Sequence, residues 1–199
     1  MTKVDLVILA GGKGARIKHL LSNQPKPMAK FNGKHFIEYI IQNFSRYNFE
    51  NIFILTGYKS RIIFNKFHNK KYNFTKITCI KEKKPMGTGG ALYTLKKKKI
   101  NDFILVNGDT IFDINLKHLV KSTKKHNIAS IALIKNNKNK NNKKLNNLLI
   151  KKGNIVLRKK SNLMNGGVYF FKKSIFKYIR NKYLSLENDI LPKLIRERK

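Results

Sequence analysis

Apolar residues recur along this chain in two rhythms. Unbroken runs such as Leu6-Val7-Ile8-Leu9-Ala10, Ile52-Phe53-Ile54-Leu55 and Phe103-Ile104-Leu105-Val106 read as strands buried on both faces, too continuous for half-exposed ones. Lys76-Ile77-Thr78-Cys79-Ile80 reads as a further strand. Between the runs the spacing changes to that of a helix: within residues 36–44, Ile37, Ile40, Ile41 and Phe44 share one face. Gly57 ends the strand over 51–56, and a second helix is expected over 58–67. A helix starting at Thr88 or Gly89 and running to Leu95 follows, then a helix and a strand within 116–132, then strands over 154–157 and 167–171. Ser174, Ser185 and Asp113 are expected as helix N-caps, the last for a helix beginning near Asn115, and Glu187 and Asp189 sit where a first turn favours acids. Strands alternating with helices at this spacing predict an α/β, doubly wound sheet with its ligands at the carboxyl ends of the strands.

A chain of 199 residues with 41% hydrophobic content is sized for one core and is expected to be a single domain, 1–199. No apolar run approaches the ~20 residues of a membrane span, and the first residues lack the charged, apolar and small-residue order of a secretory signal. Cys79 stands alone, so it cannot form an internal disulfide and is expected to pack within its strand. Together these point to the cytoplasm.

Charge narrows the reading further. Lys and Arg number 44 against 10 Asp and Glu, a formal net charge of +34. Phosphate neutralisation on nucleic acid and attraction to an anionic membrane both demand positive charge. The lysines, however, are spread along the chain and accompany no zinc-finger, heptad or RNP-like pattern. A compositional Lys/Asn/Ile bias, clearest in the low-complexity stretch 135–144, is the better account, and that stretch is expected to be a mobile, solvated loop. A basic surface would still speed the arrival of anionic substrates.

Candidate chemistry begins after the first strand, where Gly11-Gly12-Lys13-Gly14 lets the backbone approach a ligand and turn N–H groups toward it. Arg16 adds a fork of donors suited to phosphate oxygens, and Lys26, in Pro25-Lys26-Pro27-Met28, adds a compact cation. Neither the G-x-x-x-x-G-K-[ST] loop nor the G-x-G-x-x-G turn fits: Lys13 is not followed by Ser or Thr, and Gly12-x-Gly14 leads to Ile17. A polyphosphate is nevertheless the ligand such a loop suits. Downstream, Pro85-Met86-Gly87-Thr88-Gly89-Gly90-Ala91 offers a flat glycine edge against which a base can lie. Asp109, in Asn107-Gly108-Asp109-Thr110-Ile111-Phe112-Asp113, places a scarce carboxylate just beyond a buried strand, where a hard oxygen can hold Mg²⁺ together with phosphate oxygens and water. Asn165-Gly166-Gly167 sets an amide beside glycines, suitable for sugar hydroxyls but equally an ordinary turn. The five histidines show no ligand spacing.

The combination of L-A-G-G-x-G-x-R, P-K-P-M, K-x-P-x-G-T-G-G-A, N-G-D-T-x-F-D and N-G-G-x-Y resembles the sugar-1-phosphate nucleotidylyltransferases, and within them the D-glycero-D-manno-heptose 1-phosphate guanylyltransferases. The likeness runs from Val4 to about Leu194. It implies a Rossmann-like, mixed but mostly parallel sheet with helices on both faces. It implies transfer of a nucleoside monophosphate from a nucleoside triphosphate, GTP first, to a sugar 1-phosphate, releasing pyrophosphate. By the same likeness Leu9, Ala10, Gly11, Gly12, Gly14 and Arg16 grip the triphosphate, and Met86, Gly87, Thr88, Gly89 and Gly90 border the base. Lys26, Asn107, Gly108, Lys160, Asn165 and Gly166 meet the sugar phosphate, Asp109 binds Mg²⁺, and Arg16 and Lys26 are catalytic. Two departures stand out. A Glu-Lys pair that touches sugar hydroxyls in the family is replaced here by Val156-Leu157-Arg158-Lys159-Lys160. The family's second metal-binding aspartate, in a D-x-G motif, would fall beyond Lys199. Transfer of uridylyl or thymidylyl groups to another sugar, and a catalytically silent nucleotide-binding member, are therefore the alternatives, with nucleic-acid binding behind them and a homo-oligomer left open.

Overall fold

A computed structural model describes residues 3–14, 19, 21, 23–135, 148–157 and 161–199. In chain order its strands and helices are β1 (Val4–Ala10), β2 (Lys30–Phe31), β3 (Lys34–His35), α1 (Phe36–Ser45), β4 (Ile52–Thr56), α2 (Ser60–Phe67), β5 (Lys71–Tyr72) and β6 (Thr75–Lys81). There follow α3 (Gly87–Gly90), β7 (Asp102–Asn107), α4 (Leu116–Lys121), β8 (Ala129–Lys135), β9 (Leu148–Lys151), β10 (Asn154–Leu157), β11 (Leu163–Phe171) and α5 (Leu191–Arg196). The three apolar runs and the strand over 76–80 become β7, β1, β4 and β6, neighbours in that order and all parallel. Antiparallel β11 extends the sheet beyond β7 and pairs with β8 and β9, so the sheet is mixed around a parallel centre.

Alternation along these strands explains why helices cover both faces. Leu6, Ile8, Ile52, Ile54, Ile104 and Val106 point to one side, where Ile37, Ile40, Ile41 and Phe44 of α1, Ile63 and Phe67 of α2, and Leu116 and Leu119 of α4 pack. Val7, Phe53, Leu55, Phe103 and Leu105 point to the other, against Leu92, Leu95, Ile175, Ile179, Ile190, Leu191 and Leu194. At ~25 cal/mol per Å² of apolar surface, burying both faces of each central strand is the main force holding this sheet together. The amino ends of the strands are tied by Asp5, which is fully buried and accepts from Asn51 Nδ2 at 2.9 Å and from the Asn101 amide at 2.7 Å.

Several local expectations need correction. Asn115, not Asp113, caps α4, its Oδ1 accepting from the His118 amide; Asp113 instead pairs with Arg46 at 2.5 Å. Ser174 lies inside the short helical turn Lys173–Lys177, whose cap is Lys172. Ser185 does cap its turn, Leu186–Ile190, accepting from the Asn188 amide at 3.1 Å. The expected helix at 88–95 begins at Gly87 and continues as a tighter turn over Ala91–Leu95, with no side-chain cap. Asn165, Gly166 and Gly167 lie within β11 and not in a turn, but the register against β8 shifts between Asn165 and Tyr169, and Gly167 takes φ +73°. Of the Lys/Asn stretch, residues 136–144 lie outside the described residues.

Candidate functional site

The chain runs outward from β1 to β4 and β6, then returns to place β7 on the other side of β1. That reversal opens a crevice at the carboxyl ends of β1 and β7, the place where doubly wound sheets hold ligands. Gly11 follows β1 and Asp109 follows β7, so both candidate motifs are delivered to this one spot. Arg16 and Lys160 lie outside the described residues.

The glycine loop is shaped by its neighbours. A Cβ on Gly11 would fall 2.3 Å from Glu82 Oε1, and one on Gly57 would fall 2.8 Å from the Gly11 carbonyl. Gly14 takes φ +63°, and a Cβ there would fall 2.9 Å from Lys26 Cβ. The loop therefore lies flat against Glu82 on one side and the Lys26–Met28 turn on the other. Pro27 and Met28 are buried and fix that turn, and the Met28 carbonyl meets His35 Nδ1 at 2.7 Å. From it Lys26 reaches across the crevice, its Nζ 2.5 Å from Asp109 Oδ2.

Asp109 is held in place by Gly108. The Gly108 amide donates to the Leu9 carbonyl at 2.8 Å, and a Cβ there would fall 2.4 Å from that oxygen and 3.2 Å from Pro27. Only glycine lets β7 leave the sheet this close to β1. Asp109 Oδ1 carries no hydrogen bond among the described residues, and the carboxylate is half-exposed. One hard carboxylate beside a glycine cradle fits Mg²⁺, an ion content with one or two protein carboxylates when phosphate oxygens and water fill its octahedron. Among the described residues no three His, Cys, Asp or Glu side chains gather into a cage that would hold a cation alone.

Sequence reasoning missed Glu82. Its Oε2 accepts the Met86 amide at 3.0 Å while Oε1 faces Gly11, so one carboxylate joins the two glycine segments. Burial pushes its pKa above the usual carboxylate range, the Met86 hydrogen bond pulling it part of the way back. Its position just past β6 parallels that of Asp109 just past β7. In a chain with 10 acidic residues, two carboxylates beyond the carboxyl ends of parallel strands were a usable signal.

The second glycine segment is folded onto the later part of the chain. The Gly89 and Gly90 amides donate to the Leu184 carbonyl at 2.8 and 3.0 Å, and both residues are buried. Those two amides are thus engaged internally, while the Met86 amide is tied to Glu82 and the Thr88 hydroxyl to Glu187. On the opposite wall β11 brings its bulge to the end of β7. A Cβ on Gly167 would fall 2.9 Å from Thr110 Oγ1 and 3.0 Å from Asn107 Nδ2. Asn107 Oδ1, at the end of β7, is buried and has no hydrogen-bond partner among the described residues. Asn165 Nδ2 donates to the Tyr169 hydroxyl at 2.7 Å, and Asn165 Oδ1 accepts the Gly167 amide at 2.9 Å. The structure thus gathers Gly11, Gly14, Lys26 and Asp109 at the centre, the 86–90 segment on one wall and Asn107 with Asn165 on the other. Amides and a cation for phosphate, a carboxylate for a hard cation and amides for hydroxyls together suit transfer of a phosphate-bearing group.

Known proteins share this sequence pattern and fold. The family model described as nucleotidyl transferase matches residues 6–199. A D-glycero-alpha-D-manno-heptose 1-phosphate guanylyltransferase of Campylobacter jejuni is 32% identical over 179 residues, 87% of this chain and 78% of that protein. A bifunctional protein GlmU of Methanococcus aeolicus is 36% identical over 179 residues, but the chain spans only 41% of its length. Among solved structures, HddC from Yersinia pseudotuberculosis superposes with a TM-score of 0.75 at 29% identity, covering 97% of this chain and 86% of its own. The same protein complexed with GMP-PN gives the same TM-score at 28% identity.

Proposed function

Because the chain belongs to the nucleotidyl transferase family, we propose that it transfers a guanylyl group from GTP to a sugar 1-phosphate, a heptose 1-phosphate before others, yielding a GDP-sugar and pyrophosphate. The single observation that carries this reading is the convergence of the Gly11–Gly14 backbone, Lys26 and Asp109 on the crevice between β1 and β7.

In the reaction a phosphate oxygen of the sugar phosphate attacks the α-phosphorus in line. The new P–O bond forms as the bond to the β-phosphate bridge breaks, and that oxygen leaves with the pyrophosphate. Such a displacement demands alignment and neutralisation of charge more than proton transfer. The loop amides and Arg16 hold the triphosphate, Lys26 neutralises the α-phosphate and the incoming phosphate, and Asn107 and Asn165 orient the sugar. Asp109 would hold Mg²⁺, which screens the phosphate charge and stabilises the leaving pyrophosphate when bound.

Guanine is favoured by Glu82. A carboxylate only accepts, and the Watson–Crick edge of guanine presents two adjacent donors, N1–H and the N2 amino group. Uracil and thymine present one donor between two carbonyls, so one carboxylate oxygen would face a like-charged acceptor. The heptose 1-phosphate guanylyltransferase relative and the GMP-PN complex of HddC support the same choice. A screen of each nucleoside triphosphate against a panel of sugar 1-phosphates, with Mg²⁺ and pyrophosphate release as the signal, tests it. The strongest turnover is expected with GTP and a heptose 1-phosphate. Equal turnover with UTP or dTTP overturns the guanine assignment, and no release with any pair overturns the reaction.

A further inference from the structure

Glu187, in the first turn of Leu186–Ile190, has no part in the mechanism above. Its Oε2 accepts from Thr88 Oγ1 at 2.8 Å and from Ser185 Oγ at 3.0 Å, while Oε1 faces the Tyr169 hydroxyl at 3.5 Å, the outer edge of hydrogen-bond reach. The chain of contacts continues in both directions. Thr88 Oγ1 accepts the Leu186 amide at 2.9 Å, which fixes its proton toward Glu187. Tyr169 is fully buried, with its pKa pushed up by that burial and by Glu187, so the hydroxyl keeps its proton. It accepts Asn165 Nδ2 at 2.7 Å, and Asn165 Oδ1 accepts the Gly167 amide.

Direction is the informative property of this network. A carboxylate cannot donate, so the Tyr169 hydroxyl must donate to Glu187 and is left to accept from Asn165. Asn165 must then turn its NH₂ toward Tyr169 and its oxygen toward Gly167, and only the remaining NH₂ proton and oxygen lone pair are left for a ligand. A group on the nucleotide wall thereby fixes which way round an amide on the sugar wall is presented.

Resting on the reaction proposed above, we propose that Glu187 is a positioning residue that sets the orientation of Asn165 for the sugar phosphate through Tyr169, while clamping the nucleotide segment at Thr88. It touches neither substrate. It makes the two walls one hydrogen-bonded unit, so a nucleotide that orders Thr88 also favours the sugar-binding form of Asn165.

The test uses the whole chain and two isosteric variants. E187Q keeps an oxygen for Thr88 and Ser185 but turns an NH₂ toward the Tyr169 hydroxyl, reversing the direction of the network. Y169F removes the link. Each is expected to raise KM for the sugar phosphate by about tenfold, the worth of one well-placed hydrogen bond, with KM for GTP nearly unchanged. The double variant is expected to lose no more than either single one, because both break the same chain. Unchanged KM for the sugar phosphate, a parallel rise in both KM values, or additive losses would overturn the assignment. A second readout needs no turnover: in ¹⁵N-labelled protein the Asn165 NH₂ pair, identified by its loss in N165D, should show two widely separated proton shifts that converge in E187Q and Y169F. A pair that does not respond to either substitution overturns the role of Glu187. A wild-type chain that binds nucleotide but releases no pyrophosphate rejects the reaction instead, and the NH₂ pair still decides the positioning.

Discussion

Lys26 Nζ lies 2.5 Å from Asp109 Oδ2 across a chain separation of 83 residues. Both side chains are part-exposed, 32% and 41%, so the pair adds little to stability, as exposed ion pairs generally do. Its meaning is positional: a cation following β1 and a carboxylate following β7 meet over the crevice between those strands. Replacing either by alanine should cost about 2–4 kcal/mol of transition-state stabilisation, read as kcat/KM for pyrophosphate release, as expected for one preorganised electrostatic group. Melting temperatures should stay near that of the wild type. Chelation of divalent cations should stop turnover and added Mg²⁺ restore it, except in D109A. Wild-type-like turnover in either alanine variant would remove the pair from the mechanism.

Glu82 gives a prediction in which stability and selectivity move in opposite directions. Its folded-state pKa is raised by burial, so the folded chain holds this proton more tightly than the unfolded chain does. Its stabilising contribution is complete below the ordinary glutamate value, about 4.3, and is lost as pH rises through the raised value. E82Q can still accept the Met86 amide but carries no buried charge. It should therefore melt higher than the wild type at neutral pH, with the gap closing as pH falls toward the unfolded-state value. Preference for GTP over UTP should shrink by about tenfold or more, since a neutral amide no longer offers two acceptors to guanine. A pH series of thermal melts beside the nucleotide screen checks both halves. A lower melting temperature for E82Q at neutral pH, or an undiminished GTP preference, would contradict them.

The sheet was legible in the sequence because its central strands are buried on both faces and read as continuous apolar runs. Asp109 was legible because carboxylates are rare here and this one sits just past such a run. Gly11 and Gly14 announced close backbone approaches, whereas Gly108, expected only to meet the sugar phosphate, lets β7 touch Leu9 and Pro27. What the sequence hid depends on contacts between distant segments. Glu187 sits in a first turn where capping accounts for acids, and only folding brings it to Thr88, 99 positions earlier in the chain. Glu82 was masked by the glycines that follow it. Asp113 carries the short oxygen of a capping residue, but Asn115, two residues on, caps α4 and leaves Asp113 to Arg46.

Gly167 is the next test. It holds φ +73°, which other residues adopt only under strain, and a methyl group would press on Thr110 Oγ1 and Asn107 Nδ2. G167A should lower stability by about 1–3 kcal/mol from backbone strain and crowding. It should also raise KM for the sugar phosphate more than KM for GTP, because Asn107 lies on that side of the crevice. Denaturant unfolding and steady-state kinetics on the same preparation read the two effects. A variant as stable as the wild type would mean that the bulge relaxes easily and that glycine is not required there.

Asp5 provides the opposite case, a carboxylate whose work is entirely structural. It lies at the amino end of β1, the far side of the sheet from the crevice, fully buried among Asn51 and Asn101. Removing it strands the Asn101 amide and the Asn51 side chain without acceptors, at about 1–3 kcal/mol for each buried donor left unpaired. At this chain length each kcal/mol corresponds to about 2–4 °C of melting temperature. D5A should therefore melt many degrees lower while its KM values for GTP and sugar phosphate stay close to wild type at a temperature where it is folded. D5N, which keeps one acceptor oxygen, should fall between the two. The contrast with D109A separates the two ends of the sheet: at the amino ends a lost carboxylate weakens the fold, and at the carboxyl ends it disables the reaction. If D5A instead lost turnover without losing stability, the polarity of function along these parallel strands would be wrong.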